Sequence, residues 1–128
     1  MVSLDSCYLI DLLAGEAAAV RAAEEMDRAG ATKCITAPAA AEVLVGAYRL
    51  GGSYLDRATA LVERLPLLAF DRAAYHEEAK LGARLLEDGI PIGQGDLFVA
   101  AISHRHGEAV LTRDRAFSRI PGISVLRY

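Results

Sequence analysis

The stretch "GIPIGQGDLFVAAISHRHGEAVLTRDRAF", Gly89 to Phe117, sets a turn, a helix, a strand and a second turn one after another. Proline and glycine crowd Gly89–Gly95, as in a tight connection. From Asp96 the run "DLFVAAI" is almost wholly apolar, and it predicts a helix reaching His106–Gly107, where the glycine stops it. "AVLT" (Ala109–Thr112) then reads as a buried strand, and "RAFSRI" (Arg115–Ile120) as a short helical turn. A helix feeding straight into an apolar strand is the unit of an α/β fold, whose strands are covered on both faces. Asp96 stands alone as a charge at the head of this helix. It is either an N-cap, accepting from the free N–H groups of the first turn, or a ligand for something outside the chain.

The same alternation runs through the rest of the chain. "VSL" (Val2–Leu4) reads as a strand, and "SCYLIDLLAG" as a short helix ending at Gly15. "EAAAVRAAEEMDRAG" is amphipathic and stops at Gly30, and "KCIT" (Lys33–Thr36) is a second strand. "APAAAEVLVGAYRLGG" carries Pro38 in its first turn and closes on Gly51–Gly52. "SYLDRATALVERL" sets Leu55, Ala58, Leu61, Val62 and Leu65 on one helix face. "PLLAF" (Pro66–Phe70) is a third strand, Asp71 caps the helix "RAAYHEEAKLGARLLEDG", and "ISVLRY" (Ile123–Tyr128) is a fifth strand. The expectation is an α/β fold in one domain spanning residues 1–128, with a mostly parallel sheet of about five strands.

Composition narrows the partners. A net charge of −3 with two lysines, Lys33 and Lys80, gives no broad basic field, so nucleic-acid binding needs a local patch or bound cations. Cys7 and Cys34 form no CxxC pair and read as free buried thiols. The N-terminus lacks the features of a signal peptide, and no apolar run approaches a membrane span, which predicts a cytoplasmic protein with no membrane partner.

Open α/β sheets bind ligands beyond the carboxyl ends of their strands. That rule sorts the seventeen acids. Asp5 follows the first strand, Asp114 follows the fourth, Asp96 heads its helix, and Glu42 lies inside the apolar "AAAEVLVGA". An ionised Glu buried among Ala, Val and Leu needs compensation. Glu24, Glu25, Asp27, Glu77, Glu78, Glu87 and Asp88 fall on polar helix faces, and Asp11 and Glu16 on the surface at a helix end. Carboxylates gathered together repel one another into protonation unless a cation holds them ionised, and an oxygen-only donor set suits Mg²⁺ or Mn²⁺.

Four motifs, in order and spacing, make the chain resemble the PIN-domain ribonucleases, and among them the VapC toxins of prokaryotic toxin–antitoxin pairs. "SLDSCYLIDLL" looks like the family's opening strand, catalytic Asp and short helix. "ITAPAAAEVLVGA" is similar to its strand, helix and buried Glu, "GIPIGQGDLFVAAISHRHG" to its most recognisable segment, and "AVLTRDRAFSRIPGISVL" to its close. The resemblance implies a three-layer α/β/α arrangement and an acidic quartet of Asp5, Glu42, Asp96 and Asp114 at the carboxyl edge of the sheet. It also implies Mg²⁺- or Mn²⁺-dependent endoribonuclease activity, a homodimer, and neutralisation by a cognate VapB-type antitoxin. Ser6 stands where the family often has Thr, and Cys7 where it often has Ser. Gly95 stands where a larger residue is frequent, which implies a looser loop before Asp96.

On this reading Asp5, Glu42 and Asp96 hold one divalent ion, and Asp114 completes a second site or acts through water; water so activated attacks an RNA phosphate. Ser6 and Thr112 either orient the carboxylates or satisfy local backbone as strand-end hydroxyls. Arg113 and Arg115 either meet RNA phosphates or stand as solvated turn residues. The helix around Glu42 and the one after it either line a groove for a partner segment or simply pack into the core.

Other classes fit less well. His104 and His106 are two apart and share no helix face, and His76 lies in a charged stretch, which disfavours metal-free acid–base cleavage. A phosphoacceptor domain needs a late lysine, a dehalogenase-like phosphatase a second Asp after "LD", and a P-loop a GK[ST] motif, none of which occurs. A catalytically inactive PIN-fold module that binds RNA or protein is the principal alternative.

Overall fold

The computed structural model describes residues 1–128. Five strands form one parallel sheet, β1 (Val2–Leu4), β2 (Lys33–Thr36), β3 (Leu67–Leu68), β4 (Ala109–Leu111) and β5 (Val125–Leu126), in the order β3-β2-β1-β4-β5. Six helices join them: α1 (Ser6–Leu13), α2 (Ala17–Arg28), α3 (Ala37–Leu50), α4 (Gly52–Glu63), α5 (Arg72–Glu87) and α6 (Gln94–Arg105). A 3₁₀ turn, Arg115–Arg119, precedes β5. The α/β fold expected from the alternation is the one observed.

Successive strand residues point to opposite faces, so a strand buried at every position is covered on both sides. Val110 and Leu111 are both buried, as are Cys34 and Ile35, and Ser3 and Leu4. The central strands are therefore sandwiched between helices. Register puts Ser3, Cys34 and Val110 side by side on one face. There Ser3 accepts a hydrogen bond from Ser103 of α6 (2.8 Å), which fixes the C-terminal end of α6 over the start of β1. The N-terminal end of α6 consequently reaches the carboxyl edge of the sheet.

Local chemistry explains the element ends. Thr36 Oγ1 caps α3 by accepting from Ala39 N (3.3 Å), and Pro38 sits in the first turn, where its missing N–H costs nothing. Asp71 caps α5 through Ala74 N (2.9 Å), as expected. Gly51, with φ 66°, ends α3 and at once begins α4. Ala58 and Val62 of α4 are buried, with Leu55, Leu61 and Leu65 packed against the core beside them.

Two strands are shorter than their apolar sequences suggest. β3 keeps only Leu67–Leu68, because Phe70 leaves the sheet to lie edge-on to Phe98 of α6 (centroids 5.2 Å apart). β5 stops at Leu126, and Arg127 and Tyr128 turn their side chains to other partners. No helix is long and apolar enough to cross a membrane.

Candidate functional site

Asp5 is the hub of the carboxyl edge. It follows β1 directly and is only 3 % exposed, with extended backbone that aims its side chain over the first turn of α1. Its Oδ1 accepts from Ser6 N (2.8 Å). Its Oδ2 accepts from Thr112 Oγ1 (2.7 Å) and from the Cys7 thiol (3.1 Å). Three donors from two chain segments thus fix one carboxylate.

Two of these donors reach onward to other acids. The Ser6 hydroxyl donates to Glu42 Oε2 (2.6 Å), so one residue joins Asp5 and Glu42. Thr112 Oγ1 accepts from Asp114 N (3.0 Å) while donating to Asp5, so one hydroxyl joins Asp5 and the Asp114 backbone. Asp114 in turn caps the 3₁₀ turn, its Oδ1 accepting from Ala116 N (2.9 Å).

Asp96 completes the group from the opposite side. It is not the N-cap of α6: that position is Gly93, and Asp96 falls in the first turn, three residues on. The helix begins earlier because Gln94 and Gly95 already take helical conformation, so the Asp96 carboxylate points to the acidic edge instead of folding back on its own backbone. Partial burial, and then the charges of Asp114, Asp5 and Glu42, push its pKa from 3.8 up to about 6. Asp96 therefore registers the negative potential of the other three. No lysine or arginine pairs with any of the four acids, since every ion pair of the molecule lies elsewhere.

Several sequence expectations change here. Glu42 is exposed, not buried: α3 buries Ala39, Val43 and Ala47 at helical spacing, Ala40 and Leu44 pack beside them, and Val45, Tyr48 and Leu50 face solvent. The apolar run around Glu42 is thus half surface. Gly95 lies inside α6 and not in a loose loop. A Cβ there would stand 2.8 Å from Glu42 Oε1, so the glycine makes the room that the Glu42 carboxylate occupies. Asp11 is buried, at 6 % exposure; it accepts from Tyr128 Oη (2.6 Å) and forms an ion pair with the Arg113 guanidinium (3.2 Å). Its position three residues after Tyr8, on the inward face of α1, was the signal in the sequence for that burial. Cys34 is buried and free, whereas Cys7 is half-buried at the edge of the site, its thiol pushed up in pKa by burial.

The remaining candidates are also placed. Arg113 leans on Asp11 yet remains largely exposed, and Arg115 is exposed without an ion-pair partner. His104 faces Glu77 (3.5 Å) and His106 lies 3.0 Å from the Ala69 carbonyl. Both are at the far end of α6 from Asp96, about 12 and 15 Å along a helix rising 1.5 Å per residue.

An oxygen-only cluster with no basic partner, raising the proton affinity of one member, has the donor chemistry of a site for a hard divalent cation. As the side chains stand, no three of them converge tightly enough to hold an ion. Glu42 is exposed and Asp96 half-buried, so both side chains have room to turn toward Asp5.

The fold is shared with solved structures. A chain of VapBC2 from Rickettsia felis, bound to a DNA fragment from its promoter, superposes with TM-score 0.84 at 18 % identity, covering 100 % of this chain and 99 % of that one. A chain of the DNA-bound VapBC from Salmonella typhimurium gives 0.82 at 28 % identity, covering 99 % and 98 %. VapBC-1 from nontypeable Haemophilus influenzae gives 0.82 at 20 % identity, with the same coverage, 99 % and 98 %. No curated protein matches in sequence. The PIN domain model matches residues 2–123, and the chain belongs to the PIN-domain family.

Proposed function

We propose that the chain is a Mg²⁺- or Mn²⁺-dependent endoribonuclease, the VapC-type toxin of a toxin–antitoxin pair, acting in the cytoplasm as a homodimer and neutralised by a VapB-type antitoxin. The observation that carries the reading is the gathering of Asp5, Glu42, Asp96 and Asp114 at one edge, with no basic side chain to neutralise them. Membership of the PIN family and likeness to VapBC complexes support the choice of chemistry and of partner.

Asp5, Glu42 and Asp96 would hold the ion, with Asp114 beside them. The chemistry such an ion supplies is polarisation of a phosphate oxygen and easier deprotonation of water. The chain's own residues prepare the place for it. Ser6, Cys7 and Thr112 hold Asp5 fixed by donating to it, and the Ser6 hydroxyl aims Glu42. Arg113 and Arg115, exposed on the flank of Asp114, supply the local positive charge that a protein of net charge −3 needs to approach RNA. The exposed apolar residues Val45 and Tyr48, three apart on α3, offer a face for an antitoxin helix.

The test is cleavage of total RNA by the wild type and Asp96→Asn, with Mg²⁺, Mn²⁺ or EDTA, followed by mapping of the cut ends. Cleavage by the wild type with either ion, and its loss by at least about a hundredfold in EDTA and in Asp96→Asn, is the expected result. Full activity of the variant, or cleavage indifferent to EDTA, overturns the metal site. A wild type that binds RNA and never cuts it establishes instead the inactive binding module.

A further inference from the structure

The three residues Thr112–Asp114 belong to no strand or helix, yet they carry one acid of the site. β4 ends at Leu111 and the 3₁₀ turn starts at Arg115, so the carbonyls between them have no ladder to enter. Two of these, of Thr112 and Asp114, are taken by a single side chain. Arg127 Nη1 donates to Thr112 O (3.2 Å) and to Asp114 O (2.9 Å), and its Nη2 donates to the Ser118 hydroxyl. One planar group therefore spans the loop from its first carbonyl to its last and on into the turn that follows.

We propose that Arg127 is a positioning residue that sets where the Asp114 carboxylate stands. The proposal rests on Asp114 belonging to the site described above. From the other side the loop is gripped by the Thr112 hydroxyl, which accepts from Asp114 N and donates to Asp5. Arg127 thus ties to β5 what Thr112 ties to β1, and the acid between them has little freedom. The Thr112 N–H is already paired with Leu126 O (3.0 Å), which brings Arg127 alongside the loop. The task suits arginine in particular: its five donors form a rigid fork, whereas a lysine ammonium cannot hold two carbonyls and a hydroxyl in one plane. Arg127 does not face the carboxylates, so it acts through the backbone of Asp114.

Charge and positioning make opposite forecasts. Were Arg127 only a cation near an acidic cluster, removing it would tighten the binding of a divalent ion. As a positioning residue, its removal weakens that binding. The experiment titrates Mn²⁺ into the full chain by calorimetry and follows amide hydrogen exchange at Asp114 and Ala116. The variants are Arg127→Ala, Arg127→Lys, Asp114→Asn and the double Arg127→Ala/Asp114→Asn. The expected result is roughly tenfold weaker Mn²⁺ binding in Arg127→Ala, an intermediate loss in Arg127→Lys, and faster exchange at both amides. In the Asp114→Asn background, removing Arg127 causes no further loss. Unchanged or tighter Mn²⁺ binding in Arg127→Ala overturns the proposal, as does an equal loss in both backgrounds. If the wild type itself binds no Mn²⁺, the metal reading of the site fails separately. Exchange then decides: unchanged protection of the two amides overturns the role of Arg127, and faster exchange upholds it.

Discussion

Asp96 couples the stability of the molecule to pH. Burial, and then the neighbouring carboxylates, raise its pKa to about 6, above the ordinary 3.8 expected in the unfolded chain. The folded state therefore holds this proton more tightly, so its contribution to stability is present in acid and is lost as pH rises through about 6. In EDTA, Asp96→Asn escapes that loss. Thermal melts should show the variant and the wild type alike near pH 4, and the variant about 4 °C more stable at pH 7.5; this corresponds to about 1 kcal/mol after allowing for solvent screening of a half-exposed group. A gap that is the same at both pH values would contradict the assignment. Gly95 gives a second case in which stability and activity part. Alanine is the better helix former by roughly 0.5–1 kcal/mol, so Gly95→Ala should melt no lower than the wild type. Its Cβ would nevertheless meet Glu42 Oε1 at 2.8 Å and turn that carboxylate aside. RNA cleavage should fall roughly tenfold while the melting temperature holds or rises. The places of Asp5, Asp96 and Asp114, after strands and in the first turn of a helix, were legible in the sequence because strand ends and helix starts follow from local pattern. The bonds that join them were not, since Ser6 meets Glu42 across 36 residues and Thr112 meets Asp5 across 107.

At the scale of elements, the site depends on how α6 is held against the sheet. Its N-terminal end carries Asp96, and near its other end Ser103 donates to Ser3 of β1 with both residues fully buried. Ser103→Ala leaves the Ser3 hydroxyl without its partner in the interior, which costs about 1–3 kcal/mol. Replacing both serines by alanine removes the orphaned group, so the double variant should be less destabilised than the sum of the two singles. Urea unfolding of the four proteins measures that coupling, and strict additivity would show that the bond does not anchor the helix. The elements themselves were largely readable, because the switch between strand and helix spacing is a local property. Their ends were not. β3 and β5 shorten where Phe70 and Tyr128 find aromatic partners, Phe98 and Tyr8, far away in the chain. Glu42 was misjudged for a related reason: an apolar helix tells how much surface is apolar, and only its neighbours tell which part of it is covered.

For the whole molecule, the balance of charge decides how a substrate is held. The chain carries a net −3, and four of its acids are gathered at the edge where, under the proposed function, a phosphodiester would come. Exposed arginines on the flank of Asp114 are the available counterweight, and they differ in freedom. Arg113 is drawn back by Asp11, a buried carboxylate that also accepts from the Tyr128 hydroxyl, whereas Arg115 has no ion-pair partner. Arg115→Ala should therefore raise KM for RNA several-fold with little change in kcat, and lower the slope of log affinity against log salt by about 1. Asp11→Asn should act in the opposite sense on Arg113. It weakens the hold on the guanidinium without removing the Tyr128 partner, so the arginine gains reach and KM falls or stays level. Steady-state cleavage of a short RNA at several salt concentrations measures both. A drop in kcat for Arg115→Ala at unchanged KM would move that arginine from holding the substrate to the chemistry itself.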